Sequence, residues 1–298
     1  MLLGTAVAFF TAGRVLGPLR DLRDAAQSIT GTEMSRRIDV EGDDELADLG
    51  HAFNRMLDRL TTAFASQRDF IRDVSHELRT PIAVVRGHLE LLAEMDPGNR
   101  TERDATIHLV TGELDRMNRF VEDLLLLAKS DQPNFLQLET VSLGDLCEEL
   151  VDKVSGLADR DWELESSTRR SIVADPQRLT QAVMNLTRNA VAHTAEGQTI
   201  AIGAAVDGHE ASLWVRDSGV GVQPDDERRI FDRFTRGRRS GNRYEGSGLG
   251  LAIVQAIAEA HGGRVGMRGR PGEGATFTIT VPVEGPGTRQ PVTEGTPT

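Results

Sequence analysis

The 298-residue sequence has one cysteine, one tyrosine and two tryptophans, and aromatic residues make up only 4% of it. A single cysteine excludes an intrachain disulfide and any zinc site built on cysteines, so Cys147 is expected to be a small buried apolar side chain. Scarce aromatics leave the cores to Leu, Val, Ile and Ala, which suits long helices and packed α/β layers better than an aromatic-rich β-sandwich. Positive charge is scarce as well: 34 Lys and Arg stand against 46 Asp and Glu, for a net charge of −12. That balance argues against a nucleic-acid binder, which needs clustered Lys and Arg for its phosphate contacts. It leaves room for a nucleotide, for which a small basic patch suffices. Long apolar runs are missing too. Residues 1–13 (MLLGTAVAFFTAG) are uncharged and apolar, yet a helix of that length rises only about 20 Å against a ~30 Å hydrocarbon core. They lack the early positive charge of a signal peptide. Residues 1–13 are therefore expected to be the cytoplasmic end of a transmembrane helix whose beginning is missing, with Arg14, Arg20 and Arg23 following on the cytoplasmic side. The expected location is the cell membrane, with the remainder in the cytoplasm.

What is present, first, is helical periodicity. Leu16, Leu19, Leu22, Ala26 and Ile29 recur at three- and four-residue steps, Gly31-Thr32 breaks the pattern, and Ile38 and Val40 sit in a polar connector. A second helix opens at Asp43-Asp44-Glu45, acidic residues being favoured at a helix N-terminus, and continues through Leu46, Leu49, Phe53, Met56 and Leu60. Each helix carries a narrow apolar stripe, which implies pairing with a second chain. This helix–connector–helix over residues 14–66, with Pro18 early and the string DELADLGHAFNRM, resembles a HAMP signalling domain. The helical pattern then runs on through Phe64, Ile71, Val74, Leu78, Val85 and Leu92. The steps Met56, Leu60, Phe64 are two fours in succession, a stutter that locally unwinds a coiled coil. After the turn signal Asp96-Pro97-Gly98-Asn99, a return helix carries Ile107, Val110, Leu114, Met117, Val121, Leu124 and Ala128. Residues 67–131 thus read as a helical hairpin, two of which make a dimeric four-helix bundle. Beyond Ser130-Asp131-Gln132-Pro133, helical patterns alternate with β-rich runs at 200–202, 212–215 and 276–281. That texture predicts an α/β layer domain over 132–284, reached through a linker at 132–140. The Gly-, Pro- and Thr-rich residues 285–298 are expected to be a disordered tail.

The first hairpin helix carries Asp73-Val74-Ser75-His76-Glu77-Leu78-Arg79-Thr80-Pro81. With Ile71 at heptad position a, His76 falls at f and points away from the seam. A largely neutral imidazole near pH 7 has a ring nitrogen whose lone pair can attack phosphorus. Glu77, placed on the exposed side, can hold the proton on the other nitrogen. Pro81 lacks the N–H that would bond to the Glu77 carbonyl, so a bend is expected there. The string FIRDVSHELRTPI resembles the H box of the sensor histidine kinases, and that resemblance implies that His76 is the phosphoacceptor. It implies further that Glu77 assists phosphotransfer and that Thr80 positions water for phosphatase activity. His88 and His108 have no such neighbours and read as structural or solvated.

Four further motifs follow in the order that family shows. QAVMNLTRNAVAHT places Asn185 and Asn189 one turn apart on a helix face, and amide oxygens suit a hard cation such as Mg²⁺. It resembles the N box, which implies that Asn189 ligates Mg²⁺, that Asn185 faces the nucleotide and that His193 borders it. Ala192 departs from the pattern, standing where many relatives carry a Lys. WVRDSGVG is a strand running into a glycine turn: Asp217 can accept the adenine amino group's hydrogen bond, and Gly219 and Gly221 allow close backbone approach to the base. It matches the G1 box. IFDRFTR resembles the F box, with Arg233 and Arg236 as candidates for phosphate contact, ahead of a polar lid over 238–245. Gly246-Ser247-Gly248-Leu249-Gly250 then opens an apolar helix, offering free N–H groups and a positive dipole end to phosphate as in the G2 box. GEGATF, with Thr276, leads the closing strand in the same manner. The resemblance spans residues 14–284 and implies an all-α HAMP and hairpin followed by an α/β sandwich ATP-binding domain of the GHKL (Bergerat) type. It also implies ATP and Mg²⁺, a homodimer, and transfer of the phosphoryl group to an aspartate of a response regulator, with accompanying phosphatase activity. Two other readings stand beside it. Type II topoisomerases and heat-shock chaperones have a similar ATP-binding domain but no phosphoacceptor helix. A non-catalytic scaffold has Ala192 in its favour and Asn189 and Asp217 against it.

Overall fold

The computed structural model describes residues 37–40, 45–96, 99–130, 132–166, 168–224, 226–227, 229–235 and 247–287. The expected membrane segment, the first HAMP helix, the whole lid and residues 288–298 lie outside the described residues, as do Asp43, Asp44, Pro97 and Gly98. The chain divides between Ala83 and Val84 into two compact units.

In the first unit, helix α1 (Glu45–Glu94) takes up the predicted second HAMP helix and continues without a break into the hairpin, leaving the first unit at Ala83. The connector closes onto it: the Ile38 N–H donates to Asn54 Oδ1 (3.1 Å), and Asn54 Nδ2 returns a bond to the Ile38 carbonyl (3.0 Å). Arg37 holds Asp58 at 2.6 Å, and Ala47 and Leu57 are buried beneath. Leu49, Met56, Leu60, Phe64 and Ile71 remain exposed along α1. Pro81 lies inside the helix, which is assigned as continuous to Glu94. The missing N–H removes one bond without ending the helix.

In the second unit, α2 (Arg100–Lys129) starts at Asn99, whose side chain accepts from the Glu102 N–H while Glu102 contacts the Asn99 amide in return. The cap satisfies the Glu102 N–H, and the Glu102 carboxylate accepts from the Asn99 side-chain amide. The predicted apolar stripe of α2 is only part of its pattern. Ile107, Leu114 and Val121 are exposed, whereas Phe120, Leu126 and Leu127 are buried. The helix therefore has two apolar faces, one turned to the rest of this unit and one left bare.

The α/β layers follow as β1 (Glu139–Ser142), α3 (Leu143–Val154), β2 (Asp161–Ser166), β3 (Ser171–Ala174), α4 (Pro176–His193), β4 (Thr199–Asp207), β5 (Glu210–Asp217), α5 (Gly250–Ala260), β6 (Arg264–Gly269) and β7 (Ala275–Pro282). Five strands form a mixed sheet in the order β2-β4-β5-β7-β6, with only the β2–β4 pair parallel. β1 and β3 make a separate antiparallel pair. Alternation sets the layers: Ala211, Leu213 and Val215 of β5 and Phe277, Ile279 and Val281 of β7 are buried, as are Leu179, Val183 and Leu186 of α4 and Ile253, Val254 and Ile257 of α5. Each such side chain contributes roughly 1.5–3 kcal/mol. Cys147, wholly buried in α3, is the expected inert thiol, its pKa pushed up to about 11 by burial and then by Glu148.

Two boundaries move. The expected linker at 132–140 is shorter, because Phe135 is buried with the Arg178 guanidinium 4.5 Å from its ring centroid. The Gln137 N–H also donates to Asp175 Oδ2 (2.8 Å), and Thr140 pairs with Val173 in the β1–β3 ladder. Residue 285, expected to open the tail, belongs to the folded domain instead. Val283 bonds both Val173 and His209 through its backbone, and Gly285 is buried against Val173.

Candidate nucleotide site and phosphoacceptor helix

On α1, within the first unit, His76 is exposed, as its f position predicts, and Thr80 is exposed one turn on. Glu77 differs from expectation: it is half-buried rather than on the exposed side, and it is engaged by a neighbour. Its heptad position g flanks the seam, which explains the partial cover. The Ser75 hydroxyl bonds back to the Ile71 carbonyl (2.7 Å), and Arg72 sits between Asp69 and Asp73 at 3.2 and 3.5 Å.

The other site residues gather in the second unit where α4, the end of β5 and the start of α5 meet. Asp175 caps α4, accepting from the Arg178 N–H at 3.0 Å, and Pro176 fits the first turn, where no N–H is needed. Asn185 is 8% exposed, and its Nδ2 has no hydrogen-bond partner among the described residues. Its side chain lies 3.9 Å from where a Cβ on Gly250 would stand. Gly250 is the first residue of α5, and no side chain caps that helix. A buried amide donor without a partner costs about 1–3 kcal/mol. Its position beside an uncapped helix N-terminus, whose free N–H groups and dipole favour anions, makes a polar cradle suited to phosphate oxygens. Asn189 follows one turn along the same helix and is half-buried.

Asp217 ends β5 on the helix-covered face and is 4% exposed. Its Oδ1 accepts from the Gly219 N–H at 2.9 Å. Burial raises its pKa above the usual carboxylate range, while hydrogen bonds from the Gly219 and Ala275 backbone and the nearby His193 act the other way. Burial lowers the pKa of His193, and Asp217 opposes that. A buried carboxylate beside a neutral imidazole can accept from an exocyclic amine without bringing a second full charge.

The glycines after Asp217 do something other than expected. A Cβ at Gly219 would stand 2.1 Å from the His193 carbonyl oxygen, and one at Gly221, where φ is 70°, would stand 1.9 Å from that of Arg270. The close approach they permit is to the protein's own backbone, which fixes the loop between the end of α4 and the β6–β7 turn. The Val220 carbonyl accepts from the Gly272 N–H at 2.8 Å. On the far side, Phe234 has φ 61° and donates its N–H to the Gly248 carbonyl at 2.9 Å. Its ring lies 6.5 Å from Phe120 of α2, and Phe231 packs edge-on to Phe277 at 6.3 Å. Ser247 Oγ accepts from the Leu249 N–H (3.3 Å), and Leu249 is fully buried as it leads into Gly250. Arg233 is exposed beside Phe234, and Arg236 and Gly246 lie outside the described residues.

Thr276 is not part of this cluster. It pairs with Arg216 and Arg268 on the open face of the sheet, beside Trp214, whereas Asp217 and Ala275 face the helices. Strand alternation puts adjacent residues on opposite faces, and the expectation was one residue out of phase. On that open face Glu165 accepts from Trp214 Nε1 (2.9 Å) and pairs with Arg216 (3.1 Å). The Trp214 bond, more than the Arg216 pair, holds the Glu165 carboxyl below its ordinary pKa.

Two residues of the region were not anticipated. Arg188 lies one turn after Asn185 on the same face, its Nη1 3.4 Å from Asn185 Oδ1, and that i, i+3 spacing was readable. His261 is wholly buried after α5, with Nδ1 donating to the Ile257 carbonyl (2.8 Å) and Nε2 accepting from the Asp175 N–H (3.0 Å). No sequence signal singled it out. Among the described residues no three His, Cys, Asp or Glu side chains converge on a metal position. A divalent cation at this site would be held by an amide oxygen such as that of Asn189 together with phosphate oxygens, a donor set that suits Mg²⁺.

Comparison with known proteins locates three family models along the chain. Residues 10–62 match the HAMP domain, 66–133 the His Kinase A (phospho-acceptor) domain, and 174–285 the histidine kinase-, DNA gyrase B-, and HSP90-like ATPase. The sensor protein CutS of Streptomyces coelicolor is 36% identical over 293 residues, covering 95% of this chain and 70% of CutS. The crystal structure of full-length ShkA in complex with AMPPNP is similar at a TM-score of 0.53 and 32% identity, over 71% of this chain and 45% of that one. Histidine kinase ThkA, in complex with response regulator protein TrrA, shares the fold at a TM-score of 0.58 and 23% identity, over 82% of this chain and 68% of that one.

Proposed function

Because the chain belongs to the sensor histidine kinases of two-component systems, which phosphorylate themselves on histidine from ATP and pass the phosphoryl group to a response regulator, we propose that His76 is the residue phosphorylated. The observation that carries this is an exposed imidazole at heptad position f, one residue from Glu77, within the stretch similar to the phospho-acceptor domain. One ring nitrogen attacks the γ-phosphorus, ADP leaves, and Glu77 holds the proton on the other nitrogen so that the attacking lone pair stays available. Thr80 orients the water that hydrolyses the phosphoaspartate of the response regulator, the phosphatase activity.

ATP is bound by this chain's GHKL domain. Within it, Asp217 accepts from the adenine amino group with His193 alongside, while Asn185, Ser247, Gly248, Leu249 and the N–H groups at Gly250 receive the phosphates. Gly219 and Gly221 serve by holding that loop in place. Asn189 would hold Mg²⁺ through its amide oxygen, and the cation would supply charge neutralisation at the phosphates. Arg233 joins this set from the F box. The bare apolar residues of α1 and α2 pair with a second copy into a four-helix bundle, the hairpin docks the regulator's receiver domain, and residues 1–13 attach the assembly to the cell membrane. No described helix is long and apolar enough to cross a membrane, and the membrane reading rests on residues 1–13 alone.

The test is incubation of the protein with γ-labelled ATP and Mg²⁺. Acid-labile, alkali-stable label present in wild type and in His88→Gln and His108→Gln, and absent in His76→Gln, is the expected result. Label retained by His76→Gln sinks the assignment.

A further inference from the structure

Helix α4 ends without the left-handed residue that commonly closes a helix: its C-cap, Thr194, is extended (φ −118°, ψ 159°), and Ala195 has no positive φ. The carbonyls at this end are met instead by Arg160, from the loop between α3 and β2. Its Nε donates to Thr194 Oγ1 (2.9 Å), and its Nη2 donates to the carbonyls of Thr194 (2.9 Å) and Val191 (3.5 Å). Nη1 donates to the Asp159 carbonyl (2.6 Å), and the Thr194 hydroxyl gives its own proton to the Ala190 carbonyl (2.8 Å). A cation is favoured at this end of a helix, and a planar fork reaches several acceptors at once. The turn so gripped is also the seat of the loop after Asp217. The His193 carbonyl, one residue before Thr194, accepts from the Val220 N–H (3.4 Å), and a Cβ on Gly219 would stand 2.1 Å from it. Gln198 accepts from the Ala195 N–H (2.7 Å) and donates to the Ser218 carbonyl (3.0 Å), and Ser218 Oγ accepts from the Thr199 N–H (3.0 Å). A shift of residue 194 is therefore passed to Gly219, whose N–H orients the Asp217 carboxylate.

We propose that Arg160 is a positioning residue for recognition of the adenine base: by holding the last turn of α4 it sets where His193 stands relative to Asp217. The proposal rests on the reading of Asp217 and His193 as the adenine end of the nucleotide site. Arg160 acts through the backbone of α4, since its bonds go to Thr194, Val191 and Asp159. Asn185, beside Gly250, lies roughly two turns back along the same helix, so the phosphate end keeps its geometry when the last turn loosens. The base sits away from the reacting phosphorus and is held alike before and during phosphoryl transfer. Loosening its seat therefore raises the KM for ATP and spares kcat. A cap that only stabilised the helix would change Tm and leave base preference where it was.

Histidine labelling of the whole chain over a range of ATP concentrations, with calorimetry of AMPPNP and its guanine counterpart GMPPNP in Mg²⁺, tests this. Arg160→Gln is expected to raise the KM for ATP about three- to tenfold with kcat changed less than about twofold. It is expected to narrow the preference for AMPPNP over GMPPNP by a similar factor. Arg160→Lys, which keeps the charge at the helix end but not the fork, is expected to fall in between. Thr194→Val removes one acceptor and is expected to weaken AMPPNP binding about two- to threefold, and to do less in Arg160→Gln, where that bond is already lost. Arg160→Gln with a lowered Tm but the KM and base preference of wild type overturns the proposal, the residue then being a helix cap alone. So does an equal weakening of AMPPNP and GMPPNP, or a Thr194→Val effect of the same size in both backgrounds. A rise in KM of the same size in Arg264→Gln, which removes an exposed arginine of β6 paired with Glu210, overturns it as well. Should Arg160→Gln not fold, Arg160→Lys and Thr194→Val carry the same comparison. Wild type that binds AMPPNP no better than GMPPNP overturns the adenine reading of Asp217 and His193 instead.

Discussion

Replacing His261 probes the support beneath the nucleotide site. The side chain is wholly buried and joins the end of α5 to the start of α4, taking the Asp175 N–H at 3.0 Å and giving its own Nδ1–H to the Ile257 carbonyl at 2.8 Å. In His261→Ala the Ile257 carbonyl keeps a partner, because the residue-261 N–H already reaches it at 3.2 Å. The Asp175 N–H has no such substitute. One orphaned buried donor costs about 1–3 kcal/mol, and the space left by the ring adds roughly 2 kcal/mol more. The expected loss is about 3–5 kcal/mol, or a fall in Tm of about 10 °C for a domain of this size. Both tryptophans, Trp162 and Trp214, lie in the mixed sheet, on β2 and β5. Urea unfolding followed by intrinsic fluorescence therefore reports this domain selectively.

The same residue has a pH signature. Burial lowers the pKa of His261 below 6.5, with the Ile257 hydrogen bond and Asp175 acting against it. The folded state thus binds fewer protons than the unfolded one, so the residue's stabilisation is present in full above pH 6.5 and is lost as pH falls through its folded value. Asp123 has the opposite sign: its raised pKa favours the folded state at low pH and ceases to do so as pH rises through about 6. Both wild type and variant contain Asp123, so its contribution cancels in their difference. The stability gap between wild type and His261→Ala is expected to shrink between pH 7.5 and pH 5.5. A gap under about 1 kcal/mol at pH 7.5, or one that widens on acidification, refutes the bridging role.

Three further outcomes are expected. Gly221→Ala combines a φ of 70° with a Cβ 1.9 Å from the Arg270 carbonyl, whereas Gly208→Ala has φ 56° and nothing within 4 Å. Urea unfolding should show a loss of about 1–2 kcal/mol for Gly208→Ala and clearly more for Gly221→Ala; equal losses would mean the close approach does not matter. Asp217→Asn should weaken AMPPNP binding about 10- to 100-fold and erode the preference over a guanine nucleotide, both read by calorimetry, as a charged buried acceptor is lost. Glu77→Gln should slow formation of the histidine label by about 10²- to 10⁴-fold with nucleotide affinity unchanged, read by rapid-quench phosphorylation.

Most of the fold was legible where periodicity is strong. The uninterrupted run from Leu49 to Leu92 became one helix, Glu45–Glu94, and the β-rich runs near 200, 212 and 276 became β4, β5 and β7. The elements that escaped notice carry weak patterns. β1 has four residues and β3 four, and each is held by the other rather than by a repeat visible in its own sequence. β2, DWELES, is an edge strand rich in acid, which reads as solvated loop. Pairing across roughly thirty residues is a tertiary fact, and it is what shortened the linker at 132–140.

At the site, what could be read was which residue types occur, and what could not be read was which way they face. Asn185 and Asn189 were placed on one side of a helix by spacing alone, and that spacing would also have flagged Arg188. Thr276 was misplaced because GEGATF fixes a turn without fixing the strand's phase. Only the pairing of Asp217 with Ala275 shows that the helix-facing position in this motif belongs to Ala275. Gly219 and Gly221 were recognised as points of close approach, but sequence does not say what approaches. The His193 carbonyl comes from 26 residues before Gly219 and the Arg270 carbonyl from 49 residues after Gly221, separations no local motif spans. Thr276 and the two glycines share one cause. A motif specifies backbone shape within a few residues, whereas the partner that gives the shape its use comes from a segment folded against it. The nucleotide site is therefore read most securely at Asp217, where the motif's own Gly219 N–H supplies a bond at 2.9 Å, and least securely wherever the partner is remote.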